Sequence, residues 1–490
     1  MAPRSRRPGV IQTDSPLAGL YRRRLGFTEV LAQSVAAVAP SAAAVTLPGI
    51  VIGLSGAAAI WAFAAAAGIV ILVAYCVTQF ARRMASASGL YSYTAKGLGV
   101  SGSFTTGWSL MIGYAGAAMA SALGAGVYLG SLAGLLGLSN PHGRLMLTAT
   151  VLAVSTSAAL LMVRGIRLSA RVSLALEVVS VVLVVAILVA MLLSQPDPTT
   201  AATTRPPLSF GSTTLGVLLA VTAFVGFESS GTLGAEARNP FTAVPRALIW
   251  TPIALAVLYV FAVAAQTTLF AHQPQALLSG GIPVADLARS QHREALTFLL
   301  DLGIFSSWFA CLMGSTNALV RVLFSMGREG VCPRWLGQTH PAHGTPFLAI
   351  AVTMPIIAVV PLVIVEFEAS LLNVFVDLLT LSAYGYLVAY GLVCLAAPAF
   401  LRRIGELTPA PVLVGAGAFS IIVFLVGWTI GSFGFAHGGF AIVYLAVMTI
   451  GWAHLGFLRW RNPSALASVG LYDEPIVSDL LPVVEVPERP

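Results

Sequence analysis

The sequence predicts an all-helical protein embedded in a lipid bilayer, and three observations carry that expectation. Of its 490 residues 57% are hydrophobic and only 9% are charged. A water-soluble core cannot dispose of that much apolar surface, so lipid has to be the solvent. The apolar residues gather into segments of about 20 or more, the length at which a helix crosses a bilayer. The basic residues then sort to alternate ends of those segments, as orientation in a membrane requires.

Taken in order, the segments fall near 27–52, 57–80, 104–136, 145–163, 172–194, 212–234, 247–270, 296–326, 347–365, 369–397, 410–432 and 435–458, about twelve crossings. With both termini inside, the inner segments hold Arg22, Arg23, Arg24, Arg82, Arg83, Lys96, Arg164, Arg167, Arg171, Arg238, Arg246, Arg321, Arg328, Arg402, Arg403, Arg459 and Arg461, among others. The outer segments hold Arg144, Arg205, Arg289 and Arg293. An odd number of crossings would spoil that asymmetry. The net charge of +7 therefore reflects topology and contact with anionic membrane lipid. Nucleic-acid binding is not expected, because no basic face exists outside the loops. Residues 1–24 are Arg- and Pro-rich and pass into a full-length span, so an inner N-terminal tail and no cleavable signal peptide are expected. Residues 461–490 carry acids and prolines without a helical period and are expected to form a disordered inner tail. Cys76, Cys311, Cys332 and Cys394 fall in spans or on the inner side, which argues against a disulfide framework.

Two spans carry interruptions. In the first, Ser34-Val-Ala-Ala-Val-Ala-Pro-Ser-Ala-Ala-Ala sets Pro40 near the centre, where proline removes a backbone donor and clashes with the preceding turn. In the sixth, Phe224-Val-Gly-Phe-Glu-Ser-Ser-Gly sets Gly226 and the ionisable Glu228 inside an apolar run. A carboxylate at that depth costs roughly 2.5–3.5 kcal/mol on insertion scales. Irregular backbone survives there only where it lines a polar cavity within protein. Breaks standing first and sixth predict two five-helix inverted repeats with a transport site between them. A proline kink or a packing glycine would explain either break alone; their matched places favour the site.

Half-helix N-termini attract a carboxylate, whereas half-helix C-termini and freed carbonyls attract an ammonium group. The paired breaks thus predict a receptor for a small zwitterion. Ser41, Ala42 and Ala43 follow Pro40 with small side chains, so a ligand is expected to reach their amides, and Gly226 allows the same approach. Glu228 is expected to bind a proton, to contact a cationic substrate or to accept bonds from freed amides. Glu177, near the inner end of the fifth span, is a second intramembrane acid, either a proton carrier or the partner of Arg171 or another inner-surface arginine; Ser180 lies one turn on along the same face. Ser307, Cys311 and Ser315 stand four apart on one face of the eighth span. They either complete a sodium or substrate contact or pack helices closely. Asn317 and Arg321 are expected to hydrogen-bond at the inner end, and Asp377 to be a buried acid at a gate. Tyr114 in the third span needs a partner for its hydroxyl and either caps the substrate or packs in the core.

The loops add a pattern of their own. Arg82-Arg83-Met-Ala-Ser-Ala-Ser-Gly-Leu-Tyr-Ser-Tyr-Thr-Ala-Lys-Gly-Leu-Gly follows the second span, Ser325-Met-Gly-Arg-Glu-Gly-Val-Cys-Pro-Arg-Trp-Leu follows the eighth, and Gly344-Thr-Pro opens the ninth. The Gly-Phe-Glu segment continues through Glu236-Ala-Arg-Asn-Pro to Val244-Pro-Arg-Ala. In their joint order, from about residue 27 to 458, these motifs resemble the amino acid–polyamine–organocation (APC) permeases. The resemblance implies the LeuT-type fold: a ten-helix core over about 25–400, in repeats of about 25–195 and 211–400, with two peripheral helices over 401–460. It implies that Ala39, Pro40, Ser41, Ala42 and Ala43, together with the stretch from Phe224 through Gly226 and Phe227 to Glu228, hold the substrate's amino and carboxyl groups. Phe224 either takes the place of the family's aromatic lid over the substrate or faces lipid or core. Ala-Pro-Ser-Ala-Ala stands where the family more often has glycines. Aligned on Arg-Leu-Ser-Ala-Arg at 167–171, Ser180 takes the place where some proton-coupled relatives keep a lysine that stands in for sodium, which leaves Glu177 as the candidate carrier.

The expected function is import of an amino acid or related amine by alternating access at the inner (plasma) membrane, coupled to protons, with sodium coupling or exchange as alternatives. A neutral amino acid is favoured over a polyamine, because the pocket is short of acids beyond Glu228. No Gly-x-x-x-x-Gly-Lys-Ser/Thr loop occurs, so ATP hydrolysis is not expected, and no cofactor or metal is called for. A membrane enzyme is disfavoured, because His142, His272, His292, His340, His343, His437 and His454 fall almost entirely in loops or at helix ends. A channel would need a continuous pore, and a sensor a signalling domain for which the tails are too short.

Overall fold

Each apolar segment closes its backbone hydrogen bonds on itself, the only economical state for a single segment in hydrocarbon. The computed structural model describes residues 20, 22–138, 143–193, 210–270, 294–368, 370–433 and 440–470. The terminal stretches 1–19 and 471–490, and with them Arg205, Arg289, Arg293, His142, His272, His292 and His437, lie outside the described residues. In chain order the helices are α1 (Phe27–Val38), α2 (Pro40–Ser55), α3 (Ala59–Ala81), α4 (Leu90–Leu135), α5 (Arg144–Arg164), α6 (Ile166–Leu193), α7 (Phe210–Thr222), α8 (Pro240–Leu269), α9 (Glu294–Glu329), α10 (Phe347–Phe367), α11 (Leu371–Arg403), α12 (Pro409–Phe433), α13 (Phe440–Arg461) and α14 (Pro463–Ala467). Among the described residues the one extended pairing is an isolated bridge from Leu25 to Ala237.

Eleven stretches among the described residues are long and apolar enough to cross a membrane. The first, Phe27–Ala81, has 55 residues, about 80 Å if straight, more than two bilayer cores of about 30 Å each. Gly56, at φ 53°, turns the chain between α2 and α3. The stretch thus supplies two crossings, and the expected twelve are accounted for.

Two boundaries differ from expectation. Leu90–Leu98 is helical rather than loop and joins the rest of α4 through Gly99, whose φ of 74° breaks the helical path. The chain after the last crossing is also ordered at first: α14 forms, and Gly470 docks its amide on Glu329. Residues 463–470, expected to belong to a disordered tail, are thus structured, and the rest of that tail lies outside the described residues.

α4 runs through the middle of the bundle, packed along α9 and α11. α1 packs against α6, α8 and α9, and α2 against α7, α8 and α9, which puts the α1–α2 junction at the centre. α12 and α13 lie outside and present Phe424, Trp428, Trp452 and Trp460 outward. So much exposed aromatic and aliphatic surface would be anomalous in water and suits lipid.

Candidate functional site

Both interruptions are present. Ala39 sits in the left-handed region (φ 56°, ψ 59°), with Pro40 as the first residue of α2. Proline fits a first turn, where its missing N–H costs nothing, but cannot continue α1. In the sixth crossing α7 stops at Thr222, Gly226 adopts φ 99°, and the chain resumes over Phe227–Leu233 as a 3-10 helix. The two breaks touch. A Cβ built on Gly226 would stand 2.6 Å from the Ala37 carbonyl oxygen, so only glycine allows this approach. Around the contact, the Ser34 hydroxyl donates to the Phe227 carbonyl (2.5 Å) and the Ser229 hydroxyl to the Gln33 carbonyl (3.1 Å). The Ala37 carbonyl, released by the break, accepts from Cys311 Sγ (3.3 Å) and Ser315 Oγ (3.5 Å). The polar stripe of α9 therefore does face the break.

Glu228 is fully buried directly after Gly226. Its Oε1 accepts from the Tyr114 hydroxyl at 2.8 Å, and its Oε2 accepts from the Tyr390 hydroxyl. Tyr390 also accepts from the Gly226 amide at 3.4 Å. The Tyr114 ring meets Tyr386 edge-on at 5.2 Å, and Phe227 lies 5.7 Å from Tyr390. Tyr114 is thus a grip on Glu228, and among the described residues no basic side chain partners that carboxylate.

Glu177 corrects two expectations. Its Oε1 accepts from the Ser41 amide (2.8 Å), the Ser41 hydroxyl (2.9 Å) and the Ser307 hydroxyl (3.0 Å), while Ser307 Oγ accepts from the Ala42 amide (3.1 Å). The Ala43 amide donates to the Ala39 carbonyl (2.9 Å). The amides of Ser41 and Ala42, expected to be open to a ligand, are taken by the protein itself. The physical reason is complementarity: a carboxylate at a helix N-terminus meets unpaired N–H groups and the positive end of the dipole. Nor does Glu177 pair with Arg171, which bonds Glu29 at 2.9 Å instead. Glu177 Oε2 is buried without a partner. Ser180 stands apart, sharing a 2.6 Å bond with Ser306.

Phe224 packs edge-on against Tyr259 of α8, with ring centres 4.9 Å apart. The Tyr259 hydroxyl is buried and, among the described residues, has no hydrogen-bond partner. Tyr259 and Tyr390 were not singled out from the sequence. The available signal was a polar aromatic inside an apolar span, which more often means packing.

The face rich in arginine is tied shut beneath the site. The amides of Arg24 and Leu25 both reach the Glu236 carbonyl at 2.8 Å, and the Arg238 amide reaches the Leu25 carbonyl at 2.7 Å. Arg321 forms a buried ion pair with Glu236 and also meets the Thr232 carbonyl. Asn317 bonds Ser169 (3.4 Å) rather than Arg321. Tyr91 donates to Glu329, whose Oε1 accepts from the Gly470 amide at 2.7 Å. Asp377 is half-buried rather than buried. His340 stacks on His343 at 4.7 Å, and no cluster of metal-ligating side chains occurs among the described residues.

A sequence profile described as "Amino acid permease" matches residues 25–452. The branched-chain amino acid permease BcaP of Bacillus subtilis is 26% identical over 313 residues, 59% of this chain and 63% of that protein; the alignment thus spans under two thirds of that relative. BcaP of Lactococcus lactis is 27% identical over 408 residues, 79% of this chain and 84% of that protein. The low-affinity putrescine importer PlaP of Escherichia coli is 24% identical over 363 residues, 71% of this chain and 74% of that one. In fold, a manganese transporter from Eremococcus coleocola superposes with a TM-score of 0.55 at 12% identity, covering 90% of this chain and 96% of its own. With two broken helices meeting at the centre of a twelve-crossing bundle and this profile over most of its length, the chain belongs to the amino acid permease family and has a LeuT-type fold.

Proposed function

We propose that the protein is a secondary active transporter that imports an amino acid or related amine across the plasma membrane, coupled to protons, by alternating access. The observation that carries the reading is Glu228, buried beside the touching breaks and held by tyrosines from α4 and α11 without a basic partner. A lone carboxylate at this depth is far cheaper protonated than charged. Taking up a proton also removes acceptor capacity from a group that two hydroxyls now share. Proton binding therefore loosens the tie between the sixth crossing and its neighbours, and proton loss restores it. Each charge moved inward gains about 2.3 kcal/mol per 100 mV, enough for roughly fifty-fold accumulation of a neutral solute at about 1.4 kcal/mol per tenfold. The arginine-rich face is the inner one in this reading, with both termini on that side.

Uptake by the purified chain in proteoliposomes tests it. Glu228→Gln keeps the shape but cannot titrate, so uptake is expected to lose its pH dependence and its response to an imposed proton gradient. A variant with the native rate and native pH profile would remove Glu228 from coupling.

A further inference from the structure

Away from the centre, a cavity opens on the arginine-rich face where α9 ends. It measures about 480 Å³ and is lined by Gly327, Arg328, Arg334, Gly337, Gln338 and Thr339, within the roughly 300–1,000 Å³ that small-molecule sites occupy. Its wall is a loop folded tightly back on the helix. The amides of Val331 and Cys332 both reach the Met326 carbonyl (2.9 and 3.0 Å), and Arg334–Gly337 form a 3-10 turn. Gly327 and Gly337 meet there. A Cβ on Gly327 would stand 2.6 Å from the Gly337 nitrogen, so a side chain at that position would push the loop away.

Two arginines converge on this wall. Arg328 is fixed: its Nε donates to the Gly337 carbonyl at 2.6 Å, and its guanidinium lies 5.2 Å from the centre of the buried Phe324 ring. Arg334 turns back toward the helix end, its Nε 3.8 Å from where a Cβ on Gly330 would stand. It takes part in no ion pair among the described residues. No carboxylate is among the described residues that line the cavity. Glu329, next to Arg328 in the chain, is buried and turned to Tyr91 and the Gly470 amide. The sorting of arginine to one face explains their side of the membrane. It does not explain two like charges lining one cavity, which repel unless an anion joins them. A guanidinium presents a planar fork of N–H donors matched to phosphate oxygens, and Gln338 and Thr339 add a neutral amide and a hydroxyl.

We propose that this cavity is a phosphate-binding site, filled by the headgroup of an anionic membrane lipid or by a small soluble phosphate ester. Trp335, next to Arg334 and 44% exposed, favours the lipid. Tryptophan settles at headgroup depth, and basic pockets beside membrane helices hold anionic headgroups. A bound phosphate joins the end of α9 to the loop that leads into α10 and braces that corner of the bundle.

The purified full chain is placed in nanodiscs of phosphatidylcholine, of phosphatidylcholine mixed with phosphatidylglycerol, or of phosphatidylcholine with glycerol 3-phosphate in the buffer at constant ionic strength, and its thermal midpoint is read. A ligand that binds the folded chain raises the midpoint in a concentration-dependent way. Phosphatidylglycerol is expected to do so. Arg334→Gln is expected to lose most of the rise, whereas Arg402→Gln, which removes an exposed arginine outside the cavity, keeps it. A rise with glycerol 3-phosphate that Arg334→Gln abolishes would equally support the site and assign its ligand to the water phase. No rise with either ligand, or a rise that Arg334→Gln lowers no more than Arg402→Gln does, would overturn the proposal. Should Arg334→Gln fail to fold, Arg334→Lys decides: it keeps the charge and loses the fork, so several-fold weaker binding is expected, and unchanged binding would overturn the site.

Discussion

Glu177 and Glu228 are the same residue type and both fully buried, yet their surroundings assign them different work. Glu177 faces backbone amides at a helix start and acts as a fixed cap, an arrangement worth up to about 2 kcal/mol when partly buried. Glu228 faces two phenol hydroxyls, which can turn away when the charge is lost. A bond from a neutral donor to a charged group contributes about 1.5–3 kcal/mol. Tyr390→Phe, which deletes one of the two, is expected to move the pH at which uptake is half-maximal toward higher values. The sign follows because the hydroxyl stabilises the charged carboxylate, so its loss favours the protonated form. A pH profile identical to that of the native chain would show that the bond plays no part in titration.

At the scale of elements, what matters is that the two breaks lean on each other. Gly226→Ala places a methyl group against the Ala37 carbonyl at a φ that disfavours side chains. Strain of this kind costs on the order of 1–3 kcal/mol, and the methyl also pushes α1 from the 3-10 helix. The expected outcome is a lower thermal midpoint together with loss of uptake. Gly68→Ala is the control, since its added Cβ meets nothing within 4 Å. An exposed helical glycine replaced by alanine gains roughly 0.5–1 kcal/mol, so that variant should match or exceed the native midpoint. Equal behaviour of the two variants would mean that contact between the breaks is unimportant. The 3-10 form of Phe227–Leu233 belongs here as well. Gly231 and Gly234 weaken an α-helix, while two bonds to α1, from the Ser34 hydroxyl to the Phe227 carbonyl and from the Ser229 hydroxyl to the Gln33 carbonyl, hold the segment in the tighter path.

For the whole molecule, the alternating access proposed above would require the arginine-rich face to open, and the ties found there define what would have to break. The Arg321–Glu236 pair is the most deeply buried of them. Removing one partner of such a pair leaves an uncompensated charge and costs about 3–5 kcal/mol. Arg321→Met is accordingly expected to destabilise the closed face, raising the rate at which a membrane-impermeant thiol reagent, presented on that side, modifies a cysteine placed at Thr232. Adding Glu236→Gln should recover thermal stability while leaving the face more open than in the native chain. Labelling as slow as in the native chain after Arg321→Met would show that the backbone pairing of Arg24, Leu25 and Arg238 suffices to close it.

The sequence by itself determined the solvent, the number of crossings and the places where two of them break. Each of these is local: apolar length sets a crossing, and Pro40 or Gly226 cannot sit in an unbroken helix without cost. Facing stripes were legible for the same reason, since the spacing of Ser307, Cys311 and Ser315 fixes a common side of α9. The partners were not legible. Ser41 meets Glu177 across 136 positions, and Tyr390 meets Glu228 across 162. Only the packing of α6 against α2, and of α11 against the sixth crossing, decided that one acid would cap a helix and the other be gripped by phenols. A side chain's own chemistry says that it needs a partner in a low-dielectric interior; which partner arrives depends on how distant helices dock.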